Sequence, residues 1–188
     1  MLQEKSTETG RVNARKTDVF DVFNFKHYMG PNPYLETAAL VFDFAVPDAT
    51  EPRAIAHYNE IIGDRYPQLL HETFTNHAQL FGRTASEVAK LDMGLHFQRW
   101  NVKPFSHFSR ISIEAIHARS ARAVVYAVWD WFEAINQNQD FLLEAQIGAL
   151  QNMFRQSVYG GPTVYSLMRS ASQKGIPAFY LWDEGLMQ

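Results

Sequence analysis

The sequence predicts an α+β domain, a mixed or antiparallel sheet packed with about five helices. Residues 19–28, 40–46 and 108–117 alternate apolar and polar positions, and 121–131 is a β-branched and aromatic run, all of which read as strands. Residues 51–64, 68–81, 84–100 and 140–158 instead repeat their apolar residues at helical spacing. The chain closes on a helix, a glycine and a strand, which is an α/β unit.

At 188 residues the chain is long enough for one full domain. Its composition is 46% hydrophobic and 14% aromatic, enough for a sizeable core. A formal net charge of −3 with mixed signs argues against nucleic-acid binding, which needs a basic stripe. There is no cysteine, so disulfides and thiolate metal sites are excluded, in agreement with a cytoplasmic location. No apolar run approaches the ~20 residues of a membrane span, and the first residues are polar, so neither a membrane partner nor a signal peptide is expected.

Residues 1–17 are polar and aperiodic and read as a flexible tail. The strands at 19–28 and 40–46 flank a linker containing Gly30-Pro31-Asn32-Pro33, a rigid turn joining a hairpin-like ribbon. Pro52 opens the helix at 51–64, with Ile55, Tyr58, Ile61 and Ile62 as its stripe. Leu69, Leu70, Phe74, His77 and Phe81 mark a second helix at 68–81, ended by Gly82.

Thr84 and Glu87 have capping-box spacing and open a third helix at 84–100. Val88, Leu91 and Leu95 fall on one edge of its apolar arc, and Ala89, Met93 and Phe97 on the other. Asp92 and His96, one turn apart between them, are either a satisfied core pair or chemistry. Glu87, Lys90, Gly94 and Gln98 form the solvent side.

In the strand at 108–117, Phe108, Arg110, Ser112 and Glu114 share a polar face, while Ser109, Ile111, Ile113 and Ala115 face the core. Ala118-Arg119-Ser120 suits a hairpin into the strand at 121–131. Asp140 is the expected N-cap of a helix at 140–158, with Leu143, Ile147, Leu150 and Phe154 as its stripe. After Gly160-Gly161 come a helix at 162–172 and a strand at 176–182, which resemble the opening of a second domain. A GGPT helix start could receive an anion, a weak signal standing alone.

Few motifs carry chemistry. His71-Glu72 with His77 lacks the His-Glu-x-x-His zinc spacing, and neither a nucleophile elbow nor a glycine-rich phosphate loop is present. Asp92 and His96 are weak metal candidates that would need a third ligand from elsewhere. Arg83, Arg99, Arg110, Arg119 and Arg122 gather in the middle third and alternate with Glu87, Glu114 and Asp130. Such a surface matches a polymer bearing both carboxylates and guanidinium groups through paired contacts. Trp129, Trp131 and Trp182 read as core or interdomain contacts.

FKHYMGPNPY, RYPQLLHE and GGPTVYSLMRSASQKGIPAFYLWDEGLMQ together resemble the N-terminal region of cyanophycin synthetases and their relatives. The Gly30-Pro31-Asn32 turn, Tyr66-Pro67-Gln68-Leu69 with His71, and the stretch from Gly161 to Gln188 carry the resemblance. It implies a tail at 1–17, a cyanophycin synthetase-like N-terminal domain at 18–159, and a lead-in to an ATP-grasp domain at 160–188. The parent would be a cytoplasmic ATP- and magnesium-dependent ligase whose ATP-grasp and Mur-ligase-like domains add Asp to a poly-aspartate backbone and Arg to its side chains.

This chain has neither ATP site, so no cofactor is expected in it. The resemblance implies a polymer-binding and scaffolding role, with Arg83, Arg99, Arg110, Glu114 and Arg122 as the expected polymer contacts. Its partners would be the polymer, the parent's other domains and further copies of the chain. Some family members cut the polymer with a zinc-binding His-x-x-Glu-His element. Here Val88, Leu91 and Asp92 stand at its three positions and His96 at a later acidic one, so hydrolysis is disfavoured. A third reading is an oligomerisation module.

Overall fold

The computed structural model describes residues 18–95, 98–156, 162–174, 176, 178, 180–181 and 186–187. Strands β1 (Asp21–Tyr28), β2 (Ala39–Ala45), β3 (Trp100–Pro104) and β4 (Ser109–Glu114) form one antiparallel sheet in the order β1-β2-β4-β3. Five α-helices accompany it among the described residues: α1 (Ile55–Arg65), α2 (His77–Glu87), α3 (Ala118–Asn136), α4 (Leu143–Arg155) and α5 (Pro162–Gln173). The α+β class with an antiparallel sheet is as predicted. None of the helices is long and apolar enough to cross a membrane.

One face of the sheet is the core. Leu40, Phe42 and Phe44 of β2 and Ile111 and Ile113 of β4 are buried, as the strand alternation requires. Phe20, Tyr58, Phe81 and Phe132 lock together beneath them, with Tyr58 stacked on Phe132 at 5.3 Å and Phe81 edge-on to Phe132 at 5.1 Å. Gly82 lets α2 approach the sheet closely: a Cβ there would lie 3.1 Å from Ile111 Cγ2 and 3.6 Å from Trp100. It is an interior packing residue of α2 and not the helix terminator predicted.

The run at 121–131 is a correction. It forms no strand, and Ala118-Arg119-Ser120 is no hairpin; these residues lie in the 19-residue helix α3. His117 caps α3, its Nδ1 accepting from Ser120 N at 3.2 Å. Ala121, Val124, Val125, Val128, Phe132 and Ile135 are its buried stripe. Ala127, Trp129, Trp131 and Ala134 are buried as well. The buried stripe recurs at helical spacing, but the β-branched and aromatic residues crowded into 121–131 gave that shorter run the composition of a strand.

The predicted helices at 68–81 and 84–100 are redistributed. Pro67–His71 is a single 3₁₀ turn, and α2 starts later, where Asn76 accepts from Gln79 N at 2.9 Å. Thr84 is therefore inside α2, its Oγ1 donating to the Leu80 carbonyl at 2.8 Å, and Glu87 is buried rather than solvent-facing. The helix widens into a π-helical turn at Val88–Asp92. Leu91 is exposed there, not buried. Gly94 then adopts φ +64° and turns the chain away toward β3, which no periodicity announced.

Two smaller corrections concern helix and strand ends. Asp140 does not cap α4, whose first turn follows Leu142 without a side-chain cap. Within the predicted strand at 176–182, only Tyr180–Leu181 (β5) is a described strand, paired antiparallel with Leu186–Met187 (β6). The tail at 1–17, His96, Phe97, Gly160, Gly161, Gly175 and Trp182 lie outside the described residues.

Candidate functional site

The charged residues singled out in the sequence do not converge on one place. Arg83 projects from α2 toward Glu72, its Nε lying 2.9 and 3.0 Å from the two carboxylate oxygens, while Nη1 meets Glu87. Glu87 is 2% exposed and also accepts from Gln68 Nε2 at 2.7 Å. A guanidinium bonded to two carboxylates of its own chain has little left for a ligand.

Asp92 is held in the same manner. Its Oδ1 accepts from Arg65 Nη2 at 2.9 Å, its Oδ2 from the Tyr66 hydroxyl, and its backbone carbonyl from Gln151 Nε2 at 2.6 Å. Burial, reinforced by the Asp92 carboxylate, pushes the Tyr66 hydroxyl far above its ordinary range, so it remains a donor. The helix predicted to carry Asp92 and His96 ends at Asp92 and the chain turns at Gly94, while His96 lies outside the described residues. No cluster of three or more His, Asp or Glu suited to a metal occurs among the described residues.

Arg110 stands on the sheet face opposite the core. The strand register sets Phe23, Asp43, Arg110 and Lys103 abreast. Arg110 Nε and Nη2 donate to the two oxygens of Asp43 at 2.7 and 3.0 Å, a bidentate pair, and Nη1 donates to Tyr34 Oη at 3.2 Å. Asp43 is 2% exposed and also accepts from Asn24, the φ +56° residue at the bulge in β1. Phe105 and Phe108 stack at 4.9 Å beside the guanidinium, 5.3 and 5.5 Å from it. Sequence reasoning missed Asp43, although it is the one acid in an otherwise apolar strand.

Arg99 and Glu114 do come together, at the end of the sheet beneath the loop between β1 and β2. Asn32 builds that loop from within. Its Nδ2 donates to the Gly30 and Thr37 carbonyls at 3.0 and 2.8 Å, and its Oδ1 accepts from Tyr34 N and Leu35 N, both at 3.0 Å. The two prolines restrict the backbone on either side. Glu114, the last residue of β4, accepts from Gln98 N and Arg99 N through Oε2, each at 3.2 Å, which aims the carboxylate.

Three adjoining hollows follow this rim. One of about 550 Å³ is lined by Asn32, Tyr34, Glu36, Gln98, Arg99 and Trp100. The next, about 230 Å³, shares Gln98 and Arg99 and adds Thr37, Glu114 and Arg169. The third, about 430 Å³, shares Thr37, Ile116 and Ser172 with the second and has an apolar wall of Met29, Pro31, Met168 and Ile176. Arg99 is 52% exposed and pairs loosely with Glu36, 93% exposed, at 3.7 Å. Arg169 Nε is shut from solvent with no hydrogen-bond partner among the described residues. Glu36 and Arg169, absent from the sequence-based set, thus complete an alternating series of carboxylates and guanidinium groups.

Comparison with known proteins adds no identity: no family model matches the chain, and no curated protein matches it. Arg122 lies elsewhere, on α3, stacked 4.7 Å over Phe25 of β1 and bonded to the Tyr126 hydroxyl. The expected core placement holds for Trp129 and Trp131, both buried.

Proposed function

We propose that this chain is a non-catalytic polymer-binding and scaffolding domain of an ATP-dependent ligase of the cyanophycin type. In this reading α5 and the strand after it lead into an ATP-grasp domain, and ATP and magnesium belong to the parent's other domains. The observation that carries it is the run of Glu36, Arg99, Glu114 and Arg169 along adjoining hollows. A polymer whose units present carboxylate and guanidinium groups in turn can pair with each, at little net charge. Asn32 and the prolines hold the rim in place before the ligand arrives, which lowers the ordering cost of binding.

A hydrolase role is not favoured, because the family's zinc-ligand positions hold Val88 and Asp92, its general-base position holds Leu91, and Asp92 is bonded to Arg65 and Tyr66. The test is incubation of the purified chain with an Asp–Arg polymer, with and without zinc, following binding and polymer length together. Binding without shortening is expected, weakened about tenfold by combined Arg99→Ala and Arg169→Ala substitution. Absence of binding, or shortening that a chelator stops, would overturn the proposal.

A further inference from the structure

A second hollow, sharing no lining residue with the groove, opens between β1 and the first turns of α3. It measures about 550 Å³. Its floor is apolar, made by Phe25, Leu40, Ala123 and Met153, and Lys26, Arg119 and Arg122 supply its charge. No Asp or Glu lines it. For a chain with net charge −3, three cations around one apolar floor without a carboxylate is a marked local excess.

The cations are presented rather than consumed. Arg122 is fixed by aromatic groups: its guanidinium lies 4.7 Å from the centre of Phe25 and 5.4 Å from that of Tyr126. Nε and Nη2 donate to the Tyr126 hydroxyl at 3.2 and 2.9 Å, and Nη1 is unengaged among the described residues. Arg119 precedes it by three residues, on the same side of the helix, and is exposed. His27, also in the wall, contributes no charge: its Nε2 donates to the Ala115 carbonyl at 3.0 Å and burial keeps the ring neutral.

We infer that this cleft binds an acidic peptide in extended conformation, its main chain over the apolar floor and its carboxylates on Arg119 and Arg122. Residues on one side of a strand recur every ~7 Å. Side chains three apart on a helix leave Cβ atoms about 5–6 Å apart, so two flexible arginines can meet alternate carboxylates of such a peptide. A planar guanidinium held by aromatic faces is preorganised for bidentate pairing. The inference stands without the polymer reading, because it concerns peptides bearing free carboxylates and different residues of this chain.

The test is fluorescence anisotropy of a labelled oligo-aspartate peptide titrated with the full chain. Oligo-asparagine serves as the uncharged control and inorganic phosphate at matched ionic strength as competitor. Arg119→Gln and Arg122→Gln are each expected to weaken binding about tenfold, and Arg122→Lys by less, while Lys90→Gln, an exposed cation lining neither the cleft nor the groove, leaves it unchanged. Both arginines are exposed, so the variants are expected to keep the parent circular dichroism spectrum. Absence of oligo-aspartate binding would overturn the inference, as would equal loss in Lys90→Gln. Displacement by phosphate as effective as by unlabelled peptide would overturn it too, since the cleft would then hold any small anion. Binding of the Asp–Arg polymer at the groove is measured separately, so failure of one proposal does not imply failure of the other.

Discussion

Arg83 and Arg99 carry the same charge in the same third of the chain, and their surroundings differ in kind. Arg83 is 17% exposed and held by Glu72 and by Glu87, itself 3% exposed. Arg99 is 52% exposed and its guanidinium meets, among the described residues, the exposed Glu36 side chain at 3.7 Å. Around α2, ionic groups are paired inside the protein, where desolvation makes an unpaired partner costly. Around the β1–β2 loop they face open hollows, where each remains available to a ligand. Internal pairing serves the fold, and its absence leaves room for recognition.

The contrast predicts unequal costs. Glu87→Ala leaves Arg83 with Glu72 alone and Gln68 without its acceptor in a part-buried setting, and is expected to lower stability by about 3 kcal/mol in urea unfolding. A loss below about 0.5 kcal/mol would erase the distinction, since that is the range of ordinary surface changes. Asp92→Ala removes the acceptor of the Tyr66 hydroxyl and one of the two carboxylates on Arg65, and about 2 kcal/mol is expected, with the zinc content of the purified chain unchanged by metal analysis.

A smaller effect concerns pH. Burial lowers His27 and His77 below the ordinary value of 6.5, and each donates through Nε2 to a carbonyl, Ala115 and Arg53 respectively. Below pH 6.5 the unfolded chain takes up protons that these folded imidazoles refuse. The stability they contribute is therefore present above that pH and lost as pH falls toward their folded values. Unfolding midpoints between pH 7.5 and 5.5 are expected to fall, with a shallower slope in His27→Gln. Smallest of all, Arg99→Ala is expected to change stability by no more than about 0.5 kcal/mol while weakening polymer binding. A large loss of stability would show that Arg99 is structural.

The alternation in β2 and β4 was readable because successive strand residues point to opposite faces of the sheet, even though β2, inside the sheet, is buried on both. The Asn32 turn was readable for a similar reason: prolines and an amide side chain dictate a tight loop whatever surrounds them. The groove was only partly readable. Arg99 and Glu114 were named, but the strand that begins at Trp100 and brings them together was hidden under a helical pattern. Glu36 and Arg169 reach the same rim from a loop and from α5, a proximity no local spacing encodes.

The sequence by itself determined the α+β class, the inner face of the sheet, and the Asn32 turn, since these depend on periodicity and backbone restriction within a few residues. Only the tertiary structure decided that 121–131 is helical, where α2 ends, and which arginines are spent on internal carboxylates. The physical reason is burial. A run of β-branched and aromatic residues suits a helix or a strand until the surface that buries it is fixed, and whether a charge is free depends on the partner folding brings to it.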